Sequence, residues 1–365
     1  MPRPVRDPAR AREAFKTLLN TTKPAVEQRM RELFADRLKA RGRVAPEVKT
    51  VVEVARDLTL RGGKRFRAAL LASTYFGSKP RGAEGVAIAG GVALEMLQSY
   101  LLIQDDWMDG DVERRGGPSA HVALAKRLGK GPLVPERAGA VGAILAGDLV
   151  WGLAVESLAT ANAPANVRAD AVAELVAIHE DVAIGQVLDT VAKKADTETL
   201  HDLKTGSYTV RGPLALGAIL GGAPRATVRA LGSFAAPLGV AFQLRDDLLG
   251  VFGTEEESGR PAGSDLMAGK GTTSVLKYAL PRLRGADKRA VSAVWRRRAS
   301  KTAVAAAVKA VESSGARDVV EKRLAALCTE AESKADKLPL SEKARFELAG
   351  ASLAIRVGPG GREAR

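Results

Sequence analysis

The residues that could do chemistry most directly are two groups of aspartates. Asp105, Asp106 and Asp109 form a DDxxD pattern after a strongly apolar run, and Asp246 and Asp247 end a second such run 141 positions later. On a helix, Asp105 and Asp109 would lie one turn apart on the same face. Carboxylates held that close repel each other unless a cation lies between them, and Mg²⁺ accepts such oxygen ligands while leaving positions for phosphates. A solvated acidic turn is the alternative for either group alone, but two facing groups would hold Mg²⁺ around a diphosphate.

Basic residues that suit phosphate groups occur at several other places. Lys64 and Arg67 follow a pair of glycines, and we predict that these two side chains share one helical face. The remaining candidates are Arg114 and Arg115, Lys204 with Thr205, and the glycine-rich segment that carries Arg260 and Lys270. Each pattern is weak by itself, since a plain surface loop has the same composition. The chain has three histidines and no evident Ser/His or Cys/His pair, so a protein nucleophile is not expected.

A single all-helical domain is predicted to position these residues. Alanine and leucine are abundant, aromatic residues are few, and apolar residues recur at helical spacing with glycine and proline between the runs. No alternation of strands and helices appears, so a parallel sheet is not expected. We predict that the domain covers residues 13–357, with irregular ends at 1–12 and 358–365.

The composition also limits where the protein is expected to work. Its one cysteine, Cys328, excludes a disulfide framework and favours a reducing cytoplasm. The N-terminus lacks the apolar core of a signal peptide. We expect no membrane-spanning segment, because the apolar runs near Ala138–Ala159 and Leu231–Leu244 are interrupted by Asp148 or end at Arg245.

The positive charge lies in the two flanks of the chain. The net charge of +14 comprises +7 in residues 1–45 and +9 in residues 282–365, whereas residues 46–281 carry −2. A nucleic-acid-binding protein would place its basic patch beside its other motifs, so we expect no nucleic-acid partner. A solvated helical surface is the simpler interpretation, with attraction to an anionic membrane as the alternative.

Taken together, the motifs resemble those of the trans-isoprenyl diphosphate synthases, or polyprenyl synthetases, from about Leu60 to about Leu280. GGKRFRA is similar to that family's GGKRxRP, and LLIQDDWMDGDVERRGGPSAH is similar to its first aspartate-rich motif, including the later His121. FQLRDDLLGVFG followed by GRPAGSDLMAGKGT resembles its second aspartate-rich motif and closing loop. Shorter matches are Gly147-Asp148, Gly185-Gln186 and Lys204-Thr205. Each match is modest, but their common order makes chance agreement improbable.

The resemblance implies a function and a set of roles. It implies a homodimeric bundle of about a dozen helices around a deep apolar cavity, with two to three Mg²⁺ ions. The enzyme would condense isopentenyl diphosphate with an allylic diphosphate. The implied metal ligands are Asp105, Asp109 and Asp246, and the other implied catalytic residues are Asp106, Asp247 and Lys204. Isopentenyl diphosphate would be bound by Lys64, Arg67, Gln98 and Arg115. The allylic diphosphate would be bound by Arg114, Lys204, Thr205, Gln243 and Arg260, with Lys270 in the closing loop.

Three residues depart from the family pattern. Gly250 stands where a third aspartate is usual, Ala68 replaces a proline, and Arg260 replaces a lysine. We interpret Gly250 as tolerated, so Gly250→Asp should change the rate far less than Asp105→Ala.

Tyr100 is the candidate for setting product length. It lies five residues before Asp105, roughly 7.5 Å further down a helix at about 1.5 Å per residue. The resemblance implies that an aromatic ring here forms the floor of the cavity and that the product is C20 geranylgeranyl diphosphate, with C15 farnesyl diphosphate as the runner-up. Alternatively, Tyr100 packs between helices, and Met96 or Leu97 sets the stop.

Two other kinds of protein share parts of this pattern. A class I terpene cyclase has the same fold but lacks a site for isopentenyl diphosphate, which Gln98, Arg115 and the GGKRFR segment would supply here. A non-catalytic subunit of a heteromeric prenyl synthase usually loses the first aspartate group, which is complete in this chain.

Overall fold

The computed structural model describes residues 7–80, 82–191, 199–200, 202–258, 261–271, 273–297, 299–361 and 363–364. The helices in the first half are α1 (Pro8–Arg41), α2 (Pro46–Leu60), α3 (Phe66–Gly77), α4 (Glu84–Asp109), α5 (Ala120–Leu128), α6 (Pro135–Ala159) and α7 (Ala165–Thr190). A π-helical segment, π1 (Asp202–Arg211), leads directly into α8 (Gly212–Leu220). The remaining helices are α9 (Arg225–Phe252), α10 (Glu255–Ser258), α11 (Ser264–Ala268), α12 (Ser274–Ala279), α13 (Gly285–Val294), α14 (Lys301–Ser313), α15 (Ala316–Ala335) and α16 (Glu342–Ile355).

The predicted all-helical class is confirmed. Within the described residues, the only paired strands are β1 (Glu113–Arg114) and β2 (Gly117–Pro118), which form a two-residue antiparallel hairpin after α4. Two short 3₁₀ turns, Leu280–Arg282 and Pro359–Gly361, also occur within the described ranges. The alanine- and leucine-rich sequence favours helix over sheet, and tertiary packing then selects long helices.

Local signals fix the ends of the helices that carry the site. Gly110 adopts a left-handed conformation with φ 71° and ends α4 immediately after Asp109. The whole DDxxD pattern therefore occupies the last two turns of α4. At α12, the side chain of Thr273 accepts a hydrogen bond from the backbone N–H of Leu276 and caps the helix.

The core divides into two neighbouring apolar clusters. One is built around α2, α4, α6 and α7, and the other around α9, α12, α15 and α16. Small residues allow close packing between them: a Cβ on Gly217 would lie 2.2 Å from Oγ1 of Thr74. Helix α4 packs mainly against α6, while π1 packs against both α7 and α9. This arrangement places the ends of α4, α7 and π1 together.

Two observations differ from the sequence-based expectations. Helices α4 and α6 are each long and apolar enough to cross a membrane by length and composition, although about 67% and 50% of their most apolar windows are buried within the fold. Length and composition alone do not distinguish a buried core helix from a membrane-spanning one, so the expectation of no membrane-spanning segment stays a prediction. In addition, α1 begins at Pro8, five residues before the predicted start of the domain, and Val357 pairs with Glu363 near its predicted end.

Candidate active site

The first aspartate group lies where α4, α7 and π1 meet. Oδ1 of Asp105 accepts a hydrogen bond from the side-chain amide of Gln186 at 3.2 Å and lies 3.5 Å from the ammonium of Lys204. One turn later, Oδ2 of Asp109 lies 3.9 Å from the ammonium of Lys270. Burial and the neighbouring Asp105 carboxylate both raise the pKa of Asp109, although Lys270 opposes the shift. The predicted shared face of Asp105 and Asp109 is confirmed, and both carboxylates are flanked by cations.

Asp106 has a different environment from its two neighbours. Its side chain is fully buried and forms an ion pair with Arg114, whose Nε donates to Oδ1 at 2.7 Å. Arg114 also contacts Asp111 at 3.1 Å. Burial raises the pKa of Asp106, and the guanidinium of Arg114 opposes that shift. Arg114, expected to bind the allylic diphosphate, thereby also clamps hairpin β1–β2 to the end of α4.

In the second aspartate group, too, one carboxylate is accessible and the other is buried. Asp246 is exposed on α9, whereas Asp247 is buried and accepts hydrogen bonds from the backbone N–H of Ser274 and the side-chain amide of Gln243, both at 2.7 Å. Burial raises the pKa of Asp247 to about 7 against these two hydrogen bonds. Asp247 therefore joins α9 to the start of α12. Gln243, expected to bind the allylic diphosphate, is the donor of the second of these hydrogen bonds.

A neighbouring carboxylate explains why residue 250 is a glycine. A Cβ on Gly250 would lie 2.1 Å from Oδ2 and 2.5 Å from Cγ of Asp265. Asp265 lies on α11 and is 5% exposed. The buried side chain of Asp265 thus fills the space into which a residue at position 250 would project. The sequence alone gave no sign of this, since the two positions lie fifteen residues apart across the predicted closing loop.

Lys204 and Thr205 lie on π1, which crosses α7 at a glycine. A Cβ on Gly185 would lie 2.7 Å from the backbone nitrogen of Lys204, so any larger residue would push π1 away from α7. The Lys204 ammonium also forms a 2.6 Å ion pair with Asp189. Burial disfavours its charge, but Asp105 and Asp189 outweigh burial and raise the pKa of Lys204. Lys204 is therefore held as a cation beside the first aspartate group.

The GGKRFR segment forms a loop rather than a helical face. Gly62 and Gly63 have φ of 66° and 105°, and Arg65 is left-handed with φ 53°. Because α3 begins only at Phe66, the prediction that Lys64 and Arg67 share a helical face was wrong. Lys64 keeps part of its surface exposed, but partial burial and the nearby Arg245 lower its pKa.

Arg67 and Arg115 form a second cationic group close to this loop. Arg67 is buried, donates to Oγ1 of Thr209 at 2.8 Å and stacks over the ring of Tyr208 at 4.3 Å, while its Nε has no hydrogen-bond partner within the described residues. Arg115 donates to the backbone carbonyl of Arg61 at 3.0 Å. Burial and the adjacent Arg65 lower the pKa of Arg115 to about 10. A buried, incompletely bonded cation pair of this kind is suited to an anionic ligand.

Arg65 was not singled out from the sequence, although it holds this loop. Its guanidinium, 1% exposed, bonds to Glu27 and Glu95 at 3.0 Å each and to the backbone carbonyl of Thr59 at 3.1 Å. The sequence intervals between Arg65 and these three partners match no local pattern, so the sequence does not reveal the contacts.

An apolar cavity of about 420 Å³ extends below the first aspartate group. Its lining includes Tyr100, Leu101, Leu102 and Asp105 from α4, His179, Val182, Ala183, Gln186 and Val187 from α7, and Lys204 and Tyr208 from π1. Such a volume is typical of small-molecule sites, which are mostly apolar with a few placed polar groups. Met96 and Leu97, the alternative residues for a chain-length stop, are fully buried and are not part of this lining.

Gln98, Thr205 and Arg260 are the other residues expected to bind substrate. Gln98 is half-buried on α4 and makes no side-chain hydrogen bond within the part of the chain that the structure describes. Thr205 is half-buried on π1, beside Lys204. Arg260 lies outside the described residues.

The donor set at the mouth fits a hard, partly hydrated cation such as Mg²⁺. Asp105 and Asp109 present two carboxylates from one helix face, and Asp246 is exposed on α9. Across the described ranges, no three acidic, histidine or cysteine side chains come close enough to enclose an ion. Mg²⁺ is usually held by one or two carboxylates together with water and substrate phosphates, so an open arrangement suits it.

Comparisons with known proteins agree with this geometry. The sequence profile of the family described as polyprenyl synthetase matches residues 48–311. A short chain isoprenyl diphosphate synthase of Methanothermobacter thermautotrophicus is 32% identical over 69% of this chain and 71% of its own. A farnesyl diphosphate synthase of Geobacillus stearothermophilus is 32% identical over 73% and 85%. The crystal structure of geranylgeranyl pyrophosphate synthase from Corynebacterium glutamicum, complexed with isoprenyl diphosphate and magnesium, superposes with a TM-score of 0.84 at 27% identity, covering 92% of this chain and 98% of that one.

Proposed function

This chain belongs to the polyprenyl synthetase family and is a short-chain prenyltransferase, and we propose that it makes geranylgeranyl diphosphate from isopentenyl diphosphate and an allylic diphosphate. One observation carries the proposal: Asp105, Asp109, Lys204 and Lys270 converge at the mouth of an apolar cavity. The mouth suits a diphosphate, and the cavity suits its hydrocarbon chain.

The side chains around the cavity have two tasks: they stabilise the negative charge of the leaving diphosphate, and they exclude water. Lys204 and Lys270 are placed to stabilise negative charge as the diphosphate leaves the allylic substrate. Mg²⁺, held by the aspartates, would supply Lewis-acid stabilisation of the same leaving group. Leu101, Leu102 and Val182 keep water from the allylic carbocation that remains, so that the double bond of isopentenyl diphosphate attacks it instead. The new C–C bond leaves a cation on the former isopentenyl unit, and loss of a proton from that unit gives the longer allylic diphosphate.

The second cationic group supports a second diphosphate substrate. Arg115 lies in the turn between β1 and β2, and Arg67 lies at the start of α3. The Nε of Arg67, which has no partner within the described residues, leaves a donor for an anion. We assign isopentenyl diphosphate to this group, with Lys64 and Gln98. A class I terpene cyclase would have no use for these cations, and a non-catalytic subunit would have no use for the complete first aspartate group.

The two aspartate groups support a site for more than one Mg²⁺ ion. We propose two to three Mg²⁺ ions, with Asp105 and Asp109 as ligands on one wall and Asp246 on the other. Asp106 and Asp247 are buried and hydrogen-bonded or ion-paired, which supports a positioning role for both.

The C20 product is supported by the position of Tyr100. Its ring is part of the cavity lining, about 7.5 Å below Asp105 along α4. The named relatives act on chains of different lengths, so family membership does not determine the product.

A homodimer is supported by an unpartnered apolar face on α6. Val141, Ile144 and Leu145 are 39%, 39% and 54% exposed and lie on one side of the helix. Exposed apolar patches of this kind mark interaction surfaces, and a second copy of the chain is the commonest partner. We also assign the enzyme to the cytoplasm, in keeping with its single, buried cysteine.

Product analysis tests the proposal. Purified protein with Mg²⁺ should consume isopentenyl diphosphate together with each of the C5, C10 and C15 allylic primers, and chromatography of the dephosphorylated products should give C20. EDTA should abolish the reaction, and added Mg²⁺ should restore it. A C15 end product would replace the C20 assignment with farnesyl diphosphate. Hydrocarbon release from a single diphosphate, without use of isopentenyl diphosphate, would overturn the proposed function.

A further inference from the structure

Three aromatic rings from three helices meet at the lower end of the cavity. The hydroxyl of Tyr100 on α4 lies 3.3 Å from Nε2 of His179 on α7, and their ring centroids are 5.2 Å apart. Trp151 on α6 stacks on His179 at 4.5 Å with an interplanar angle of 28° and lies 6.0 Å from Tyr100. Each ring therefore contacts the other two.

The contacts between the helices give the depth of each ring. Gln186 bonds to Asp105, so this part of α7 is level with the first aspartate group. His179 comes seven residues earlier, about 10.5 Å below that level, whereas Tyr100 is about 7.5 Å below it. His179 is thus roughly 3 Å deeper than Tyr100 and lines the same cavity.

Helix α6 supplies the support behind these two rings. A Cβ on Gly147 would lie 3.3 Å from the Tyr100 ring, so α6 passes close to Tyr100. Trp151 follows one turn later and is not part of the cavity lining. Because α6 runs antiparallel to α4, as the hydrogen bond from Ser157 to the carbonyl of Ala89 requires, Trp151 lies deeper than Gly147.

We propose that His179 is a second residue that determines product length and that Trp151 positions it. Tyr100 and His179 together close the cavity, linked by the contact between hydroxyl and imidazole. Trp151 stacks on His179 and prevents its ring from turning aside. This inference rests on the proposed prenyltransferase function, since it concerns the tail of the growing prenyl chain.

The arrangement predicts that Tyr100 alone is not the stop. In Tyr100→Ala, the rings of His179 and Trp151 still stand below the vacated space. The growing chain should then gain less length than in the double variant Tyr100→Ala/His179→Ala. Admitting one more hydrocarbon group to an apolar pocket typically changes selectivity about 10- to 200-fold.

The test compares variants that change bulk with variants that keep it. His179→Ala should raise the ratio of products longer than the wild-type product by about tenfold or more. His179→Phe, which keeps the bulk, should retain the wild-type product. Trp151→Ala should lengthen products through loss of its stacking on His179, and Trp151→Phe should not. Val176→Ala, an exposed residue one turn before His179 and outside the cavity lining, is the matched control and should leave product length unchanged.

Two readouts separate this inference from the proposed function. Incorporation of labelled isopentenyl diphosphate reports prenyl transfer, and chromatography reports chain length. If wild type incorporates no label, the proposed function fails. If wild type is active and folded His179→Ala gives the wild-type product, or His179→Phe lengthens products as much as His179→Ala, the assignment of His179 is refuted. Should His179→Ala not fold, His179→Val offers the same comparison with a smaller loss of volume.

Discussion

The close approach of Asp265 to Gly250 predicts the opposite effect on stability from that suggested by comparison with the family motif. Restoring the usual third aspartate by Gly250→Asp should destabilise the protein. A Cβ at position 250 would lie 2.1 Å from a carboxylate oxygen, so Asp265 would have to move by more than about 1 Å to reach an ordinary contact of roughly 3.5 Å.

The magnitude follows from overpacking and charge. Forcing extra atoms into a packed interior costs about 1–3 kcal/mol, and a second carboxylate beside a 5% exposed Asp265 adds repulsion. For a chain of this size, about 1 kcal/mol corresponds to roughly 2 °C in Tm, so we expect overpacking alone to lower the Tm by roughly 2–6 °C. The rate should still change far less than in Asp105→Ala, provided that it is measured well below the Tm.

Differential scanning fluorimetry of four variants tests this reasoning. Gly232 lies on the same helix, and a Cβ there would meet no atom within 4 Å, so Gly232→Ala is the matched control. It should be neutral or stabilising, because glycine in a helix interior costs about 1 kcal/mol relative to alanine. Gly250→Ala should lower the Tm, Gly250→Asp should lower it further, and Gly250→Asp/Asp265→Ala should recover part of the loss. A Gly250→Asp protein with the Tm of wild type would refute the interpretation of Asp265 as the occupant of that space.

Three further predictions test other parts of the molecule. Asp105→Ala should lower the rate about a thousandfold or more, because a metal ligand supplies several kcal/mol to the transition state; near-normal turnover would contradict the metal site. Leu145→Glu should convert a dimer into a monomer in size-exclusion chromatography with light scattering, because it places a charge in the exposed apolar face of α6; an unchanged mass would move the interface elsewhere. Burial raises the pKa of Cys328 to about 12, so its thiol should resist a disulfide reagent at pH 8 until the protein is denatured. Since the unfolded thiol releases its proton near pH 9, the folded state loses stability between about pH 9 and 12, and Cys328→Ala should lose less over that range.

Helical periodicity and the aspartate motifs predicted much of the fold and part of the site. The all-helical class followed from composition and spacing, and the shared face of Asp105 and Asp109 followed from the helix repeat. The cavity lining does include Tyr100, as the count of residues from Asp105 suggested.

The parts that sequence could not supply depend on distant contacts. Arg114 looked like a phosphate ligand, but whether a surface arginine meets a substrate or a buried Asp106 depends on where hairpin β1–β2 folds back. Similarly, the side-chain amide of Gln243 donates a hydrogen bond to Asp247, one turn away on α9. Lys64 does not share a helical face with Arg67, because α3 begins only at Phe66. Arg65, just before the helix, is left-handed and pairs with the distant Glu95.

Trp151 and His179 could not be predicted from the sequence for a different reason. Neither residue belongs to a recognisable motif, and their importance depends on three helices that are far apart in sequence. A weak signal existed in the scarcity of tryptophan, since the chain has only three, but scarcity does not indicate a partner.

The π-helical geometry of π1 has a consequence for insertions and deletions. Ten consecutive residues, Asp202–Arg211, follow a wider helix in which each turn holds an additional residue compared with an α-helix. Deleting one residue there without a change of helix geometry would turn everything beyond the deletion, including α8, by the angle of one residue relative to Lys204. Substitutions in this segment alter single contacts, whereas a one-residue deletion would change the orientation of Lys204 relative to all of α8. Recombination with relatives should therefore tolerate junctions in the α8–α9 turn, near Gly222, far better than junctions inside π1.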